Sequence, residues 1–353
     1  MSTEKLPRRP LGSTGLHISV LGFGASPLGG VFHVRMLIRE AHIYMLRHKQ
    51  VGFFPQGLQD IDEEAGVQSV VEAFNRGINF FDTSPFYGDT KSEMVLGKGL
   101  AKLPRDQIVV ATKVGRYGSD VFDFSAERVT ASVRESLGRL QLTYIDLIQT
   151  HDIEFGSLDQ VVNETIPALL KLKEEGLVRH IGITGLPLKI YRYVLDRVAP
   201  GSVQTVLSYC HYCLNDRSLL NLIPYCKERN IGVINASALS MGLLTPQGPP
   251  SWHPAPQQLK EAAKAAAEHA RSRGVSIARL AIMDAVKNED IATTLVGLCT
   301  PEQVNENVES VLQALGLVPN PQQQLEQEVL QEVEQILQPV RDMTWPSGRP
   351  ENN

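Results

Sequence analysis

Eight short apolar runs rich in β-branched and aromatic residues recur along the chain, at 18–24, 78–82, 108–113, 145–151, 178–184, 205–209, 231–237 and 291–297. Between them lie segments of helical periodicity, among them EEAGVQSVVEAFNRG, AERVTASVRESLGRL, VVNETIPALLKLKEEG and LKEAAKAAAEHARSRG. Strands that alternate with helices are joined by crossovers and so run parallel. Eight such alternations predict an α/β fold of the (β/α)8 TIM-barrel type over an open doubly wound sheet. Helix starts are marked chemically: Ser157 with Gln160 fits a capping box, and Thr300-Pro-Glu-Gln303 places an N-cap, a proline at N1 and a glutamine at N3. The stretch 321–338 reads as an extra C-terminal helix followed by a tail containing Pro and Gly. No linker divides the 353 residues, so one domain over 1–353 is expected.

Charge and cysteine content narrow the function. A net charge of −5 carries no basic footprint for nucleic acid or an anionic membrane. No window approaches the roughly 20 apolar residues a spanning helix needs, and no apolar signal core opens the chain. Four cysteines (210, 213, 226, 299) in a chain this long suit a reducing compartment, which predicts a cytoplasmic protein. Cys210-His-Tyr-Cys213 has CxxC spacing but no second ligand pair for zinc, so packing is the expected role and no metal is assigned.

At the ends of three of the runs, and just beyond one, stand four chemically distinct side chains in order: Asp82, Tyr87, Lys113 and His151. A barrel builds its active site from the C-terminal ends of its strands. An acid, a phenol, an amine and an imidazole on one rim suit proton transfer coupled to hydride transfer without a metal. Taken singly, each has an ordinary structural explanation; their order and shared rim favour the catalytic one. His180, His211 and His253 read as structural. Gly22-Phe-Gly24 follows a strand but lacks the third glycine of a dinucleotide fingerprint, so a nicotinamide cofactor would have to be held at the barrel mouth.

FDTSPFYG with Lys113, His151, SALSMGLL (237–244) and TPEQVNEN (300–307) together resemble the aldo-keto reductase family. The resemblance covers nearly the whole chain apart from 34–59. FDTSPFYGDTKSE, HDIEFGSLDQVVNETIPAL, LSYCHY, GLLTPQGPPSWHPA and the terminal TWPSG look most like the plant members that act on L-galactose. What the resemblance implies is an eight-stranded barrel with NAD(P) extended over its C-terminal face. The implied reaction is oxidation of L-galactose at C1 to its lactone, a step of plant ascorbate synthesis. Tyr87 would be the general acid/base, its pKa drawn down by Lys113, which Asp82 holds; His151 would orient the substrate oxygen. Cofactor contacts carried over are Thr184 and Gly185 at the carboxamide, Tyr212 or Tyr209 stacked on the nicotinamide (the pattern YCLND favours Tyr212), Ser237, Leu239, Met241 and Gly242 at the pyrophosphate, and Gln303 and Asn307 at the adenosine end. Relatives that use NADP hold the 2′-phosphate with Lys, Ser and Arg; Gly297-Leu298 and Gln303 stand there in this chain, which predicts NAD.

Alternatives of the same chemistry are another aldose 1-dehydrogenase, such as one for L-fucose, or a broad NADPH-linked carbonyl reductase. The alternative of another class is a nucleotide-binding regulatory subunit without turnover, against which the intact tetrad argues. The expected partner is a small aldose, with no nucleic acid or membrane, on a monomer or weak homodimer. One departure is the segment 34–59, locally basic and with apolar residues at 34, 37, 38, 41 and 45 on one helical face. A substrate lid, a membrane or partner contact and an inert insertion compete for it. The flanking motifs read through as if it were absent, which favours the inert insertion.

Overall fold

In the computed structural model, which describes residues 4–30 and 62–353, parallel strands close into a barrel in the predicted order. The barrel strands are β3 (Leu21–Gly24), β4 (Phe80–Asp82), β5 (Val109–Val114), β6 (Ile145–Thr150), β7 (Val178–Gly185), β8 (Thr205–Tyr209), β9 (Gly232–Ala236) and β10 (Thr293–Gly297), with β10 pairing back onto β3. Register fixes which residues share a layer: Phe80 lies beside Val109, Ala111 beside Leu147, Lys113 beside Gln149, and Gln149 beside Gly182. Side chains alternate across each strand, so Phe80, Val109, Ala111, Leu147, Leu207, Ile234 and Leu295 point inward and form one buried cluster. The inward positions nearer the C-terminal ends are Asp82, Lys113 and Gln149. An apolar floor thus lies beneath a polar layer, and water cannot reach that layer from below.

The floor is completed by an element that the sequence reading missed. The run 18–24 serves two elements rather than one strand. His17–Ser19 (β2) pairs antiparallel with Arg8–Pro10 (β1), and only Leu21–Gly24 enters the barrel. This hairpin inserts Leu11 and Ile18, both fully buried, into the inner cluster from the N-terminal end. Burying one such side chain contributes about 1.5–3 kcal/mol. The fit requires Gly12, at φ +52: a Cβ there would stand 2.2 Å from the backbone nitrogen of Gly232.

Helices Glu63–Asn75 (α1), Lys91–Leu100 (α2) and Ala126–Leu140 (α3) cover the barrel as expected. The helical segment around 161–176 contains a widened π turn, Val161–Thr165, before Ile166–Glu174 (α4). Pro167 accounts for it: the proline offers no N–H, and its ring would crowd the carbonyl of Asn163 in a regular helix. Both predicted caps form, Ser157 Oγ accepting from Gln160 N at 3.3 Å and Thr300 Oγ1 from Gln303 N at 3.3 Å. The boxes are half closed, because neither glutamine reaches back to its N-cap. Gln160 donates to Glu164, and Gln303 Oε1 accepts from Cys299 N at 3.0 Å.

The extra C-terminal helix is present at Gln323–Leu337 and packs Val329, Val333 and Leu337 against the long helix Gln257–Ser272. Arg279 Nε to Glu326 Oε1 (2.5 Å) and His269 Nε2 to Glu332 Oε2 (2.7 Å) tie it down. The tail after it is a structural element in its own right. Asp342 N donates to Asn215 O (2.9 Å), Trp345 is buried edge-on to His253, and Asn352 Nδ2 donates to Glu154 O (2.8 Å). The tail therefore crosses the loops that follow β6 and β8. The insertion 34–59 lies outside the described residues.

Candidate active site

Burial and charge are concentrated where β4, β5 and β6 end. Lys113, 2% exposed, donates to Asp82 Oδ1 at 2.5 Å and to Thr83 O at 2.8 Å. The second oxygen of Asp82 accepts from Gln149 Nε2 at 2.8 Å. Burial pushes the Asp82 carboxyl up, and the ammonium and the Gln149 amide push it back. Burial pulls Lys113 down, but Asp82 and Tyr87 outweigh it, so the ammonium is held above its ordinary range. A carboxylate with donors on both oxygens, closed against an ammonium, behaves as a charged pair.

Tyr87 sits in the turn after β4, its ring centroid 5.0 Å from Lys113 Nζ. The turn is seated by two glycines: a Cβ on Gly29 would come within 2.5 Å of Tyr87 O, and one on Gly88 within 2.0 Å of Gly29 O. The expected fall in the Tyr87 pKa does not occur. Burial dominates and raises it, with Lys113 opposing, so the resting side chain is a phenol beside the Lys113 ammonium.

His151 stands one residue beyond β6, its ring edge-on to Tyr87 at 5.7 Å. Burial lowers its pKa to about 3 against a smaller opposing pull from Asp152, so the imidazole is neutral. Ser84 Oγ lies 3.1 Å from Nδ1 and already accepts from Phe86 N. If the serine hydroxyl donates to Nδ1, Nε2 carries the hydrogen and faces the mouth; this is the tautomer the network favours. The four predicted side chains are thus brought together.

Three residues beside them carried no role in the sequence reading. Asp152 Oδ2 contacts Arg116 Nη1 at 2.5 Å and lies 3.6 Å from His151 Nε2. Glu154 is buried, with Leu186 N, Tyr209 Oη and Ser347 Oγ all donating to Oε1 at 3.0–3.2 Å. Desolvation, helped by Asp152, raises its pKa to about 8. The signal was in HDIEFG, where two further acids follow His151.

The Aldo/keto reductase family profile matches residues 52–317. The chain is 53% identical, over 99% of its length and 99% of the relative's, to an L-galactose dehydrogenase of Arabidopsis thaliana. It is 36% identical to a D-arabinose 1-dehydrogenase of Saccharomyces cerevisiae, over 65% of this chain and 72% of that one. Among solved structures, an aldo-keto reductase of Bacillus halodurans in its holo form superposes with a TM-score of 0.67 at 26% identity, covering 99% and 100% of the two chains. The chain belongs to the aldo/keto reductase family. It is an oxidoreductase of that family, whose members use a nicotinamide cofactor.

The positions expected to hold the cofactor of this aldo/keto reductase fall into two groups. Ser237, Ser240 and Met241 all adopt left-handed backbone, with Gly242 at φ +101, on the loop after β9. Leu239 is half-buried there, and Ser240 Oγ is buried without an oxygen or nitrogen partner. Gln149 Oε1, on the inner wall, is likewise buried and unpartnered. Ala236 leaves the inward end of β9 without a bulky side chain. A backbone-lined shelf across the mouth from the tetrad, with no bulky side chain at the end of β9, fits an elongated dinucleotide.

Other candidates are committed elsewhere. Thr184 Oγ1 accepts from Asp152 N at 2.9 Å, and a Cβ on Gly185 would meet Glu154 Oε2 at 2.6 Å. Tyr212, preferred on sequence for stacking, is buried in the outer core with its ring against Arg217 and its carbonyl held by Asn235. Tyr209, the other candidate, ends β8 at the mouth and is the better placed of the two. Gln303 is engaged with Cys299, and Asn307 Nδ2 donates to Gln303 O at 2.7 Å; Gly297 ends β10 with Pro27 against it. Cys210 and Cys213 are buried free thiols, and burial pushes the Cys213 thiol up to about 12, which suits packing and not redox exchange. His180, His211 and His253 are each hydrogen-bonded, to Gln204, Asp216 and Ser240 respectively.

Proposed function

We propose that this enzyme is an NAD-dependent L-galactose 1-dehydrogenase, forming the galactono-lactone of ascorbate synthesis. The observation that carries the chemistry is the buried Asp82–Lys113–Tyr87 chain beside a neutral His151. The full-length likeness to the Arabidopsis enzyme supports the sugar. When bound, the cofactor supplies the hydride acceptor. The chain's own residues do the rest. His151 Nε2–H holds the oxygen on C1, Tyr87 accepts that oxygen's proton as the C1 hydride departs, and Lys113 stabilises the phenolate needed to accept it. Because burial holds Tyr87 as a phenol, oxidation should quicken as pH rises and the dyad loses its proton. Ser237, Leu239, Met241 and Gly242 would hold the pyrophosphate, with Gln149 and Tyr209 near the nicotinamide.

NAD is favoured over NADP by the absence of a cation at Gly297, Leu298 and Gln303, where a 2′-phosphate would need one. Four buried cysteines suit a reducing, cytoplasmic setting. No helix among the described residues is long and apolar enough to cross a membrane. The test is reduced-nicotinamide formation by the purified enzyme across L- and D-aldoses with each cofactor. L-Galactose with NAD should give the highest kcat/KM. Comparable rates with NADP, or preference for a different aldose, would contradict the reading.

A further inference from the structure

Beside the tetrad lies a second charged assembly that proton transfer does not use. Asp152 and Arg116 form a close ion pair on the rim, one from the residue after His151 and the other from the loop after β5. That loop is folded back on itself by Asp123 N to Gly115 O (2.9 Å) and Tyr117 N to Val121 O (2.9 Å), so Arg116 is presented from a braced element. Its guanidinium lies 3.9 Å from the Phe86 ring and close to Phe122 and Phe155, which stack on each other at 4.6 Å. Thr184 Oγ1 engages Asp152 twice, accepting from its backbone N at 2.9 Å and donating to Oδ1 at 3.3 Å.

The backbone at Asp152 is left-handed, φ +50, a conformation unfavourable for a residue with a Cβ. What the strain achieves is aim: it sets the carboxylate 3.6 Å from His151 Nε2, the atom that holds the reacting oxygen. Burial opposes charge on the carboxylate, but the charges around it, with the Arg116 guanidinium in contact, hold it ionised, and an ionised carboxylate can only accept hydrogen bonds. Arg116 and Thr184 occupy one site on each oxygen, and the carboxylate can still accept from a hydroxyl one hydrogen-bond length from the oxygen on C1. In an aldose that donor is the hydroxyl on C2, since the ring oxygen has no hydrogen to give. Arg116 has further N–H groups that could donate to the same hydroxyl, and the aromatic wall suits the sugar's C–H face.

We propose that Asp152, held by Arg116 and Thr184, recognises the C2 hydroxyl of the substrate and is the specificity-determining residue that separates 2-hydroxylated aldoses from their deoxy counterparts. This rests on the aldose 1-dehydrogenase reading. The test compares wild type, Asp152→Asn and Arg116→Lys on L-galactose and on its 2-deoxy analogue, with NAD affinity and thermal melting measured on each protein. Asp152→Asn should lower kcat/KM for L-galactose about 10²-fold, chiefly through KM, and for the 2-deoxy sugar less than about threefold. Arg116→Lys should follow the same pattern at about tenfold, because lysine keeps the charge but loses the planar fork. Equal losses on both sugars, or no loss on either, would overturn the proposal. Wild-type enzyme that oxidises no aldose would overturn the functional reading itself, and the proposal with it.

Discussion

The two sides of the barrel mouth are built from different materials. On the β4–β6 side the chemistry resides in buried side chains: Asp82, Lys113, Gln149 and His151, with Asp152 and Arg116 at the edge. On the β9–β10 side the inward ends are Ala236 and Gly297, and the surface is a loop whose backbone turns left-handed at Ser237, Ser240 and Met241. The first side holds charges in a low-dielectric layer where each has a partner. The second offers main chain and space. On the function proposed above, reaction and cofactor binding are separable, and substitutions on the two sides should alter different kinetic parameters.

The largest effect is expected on the charged side. Tyr87→Phe should lower kcat at least about 10²-fold with cofactor affinity little changed, as the loss of a general acid/base does. Lys113→Met should fall similarly and move the ascending limb of the pH profile for oxidation to higher pH, because the ammonium opposes the rise that burial imposes on Tyr87. On the shelf side, Gly242→Val places a branched residue at φ +101. It should raise KM for the cofactor about tenfold with little change in the kcat pH profile. A displaced pH profile in that variant would break the separation of the two sides.

Cofactor preference is a smaller matter. Gln303→Arg should move the NADP-to-NAD ratio of kcat/KM several-fold toward NADP. Position 297 is a poor choice for the same purpose, since a Cβ there would stand 2.9 Å from Pro27 Cγ. The smallest effect is thermodynamic. Glu154 binds its proton up to about pH 8 when folded, against an ordinary value of 4.5. The folded state therefore holds a proton that the unfolded chain releases. The stabilisation is complete below about pH 4.5 and is lost as pH rises toward 8. Glu154→Gln should flatten the decline in Tm over that window and leave untouched the acid-side decline that His151, neutral down to about pH 3, imposes below 6.5.

How far the sequence could be read follows the same division. The barrel was legible because inward apolar residues and helical stripes are periodic, and the convergence of the four side chains because three stand at or next to strand ends and Tyr87 in the turn beyond one. The N-terminal plug was not, since Ile18 and Phe23 lie in one apolar run that serves two elements. Tyr212 looked like the stacking residue because an aromatic near a strand end carries no mark of which way it faces; tertiary packing turned it into the core. The direction of the Tyr87 shift was misjudged because burial does not appear in a motif, whereas a neighbouring lysine does. Asp152 and Glu154 were visible as letters, but their roles depend on Arg116, Thr184 and a tail nearly 200 residues away.

The central claim is that Tyr87 and His151 act on the C1 oxygen of an aldose while C1 gives up its hydride. The most direct measurement uses L-galactose carrying deuterium at C1, with NAD, comparing wild type and Tyr87→Phe in single turnovers. The account predicts deuterium transferred to the reduced nicotinamide, a slower rate with the labelled sugar, and a rate in Tyr87→Phe lower by about 10²-fold or more. Reduced cofactor that contains no deuterium, or a Tyr87→Phe rate close to that of wild type, would contradict it.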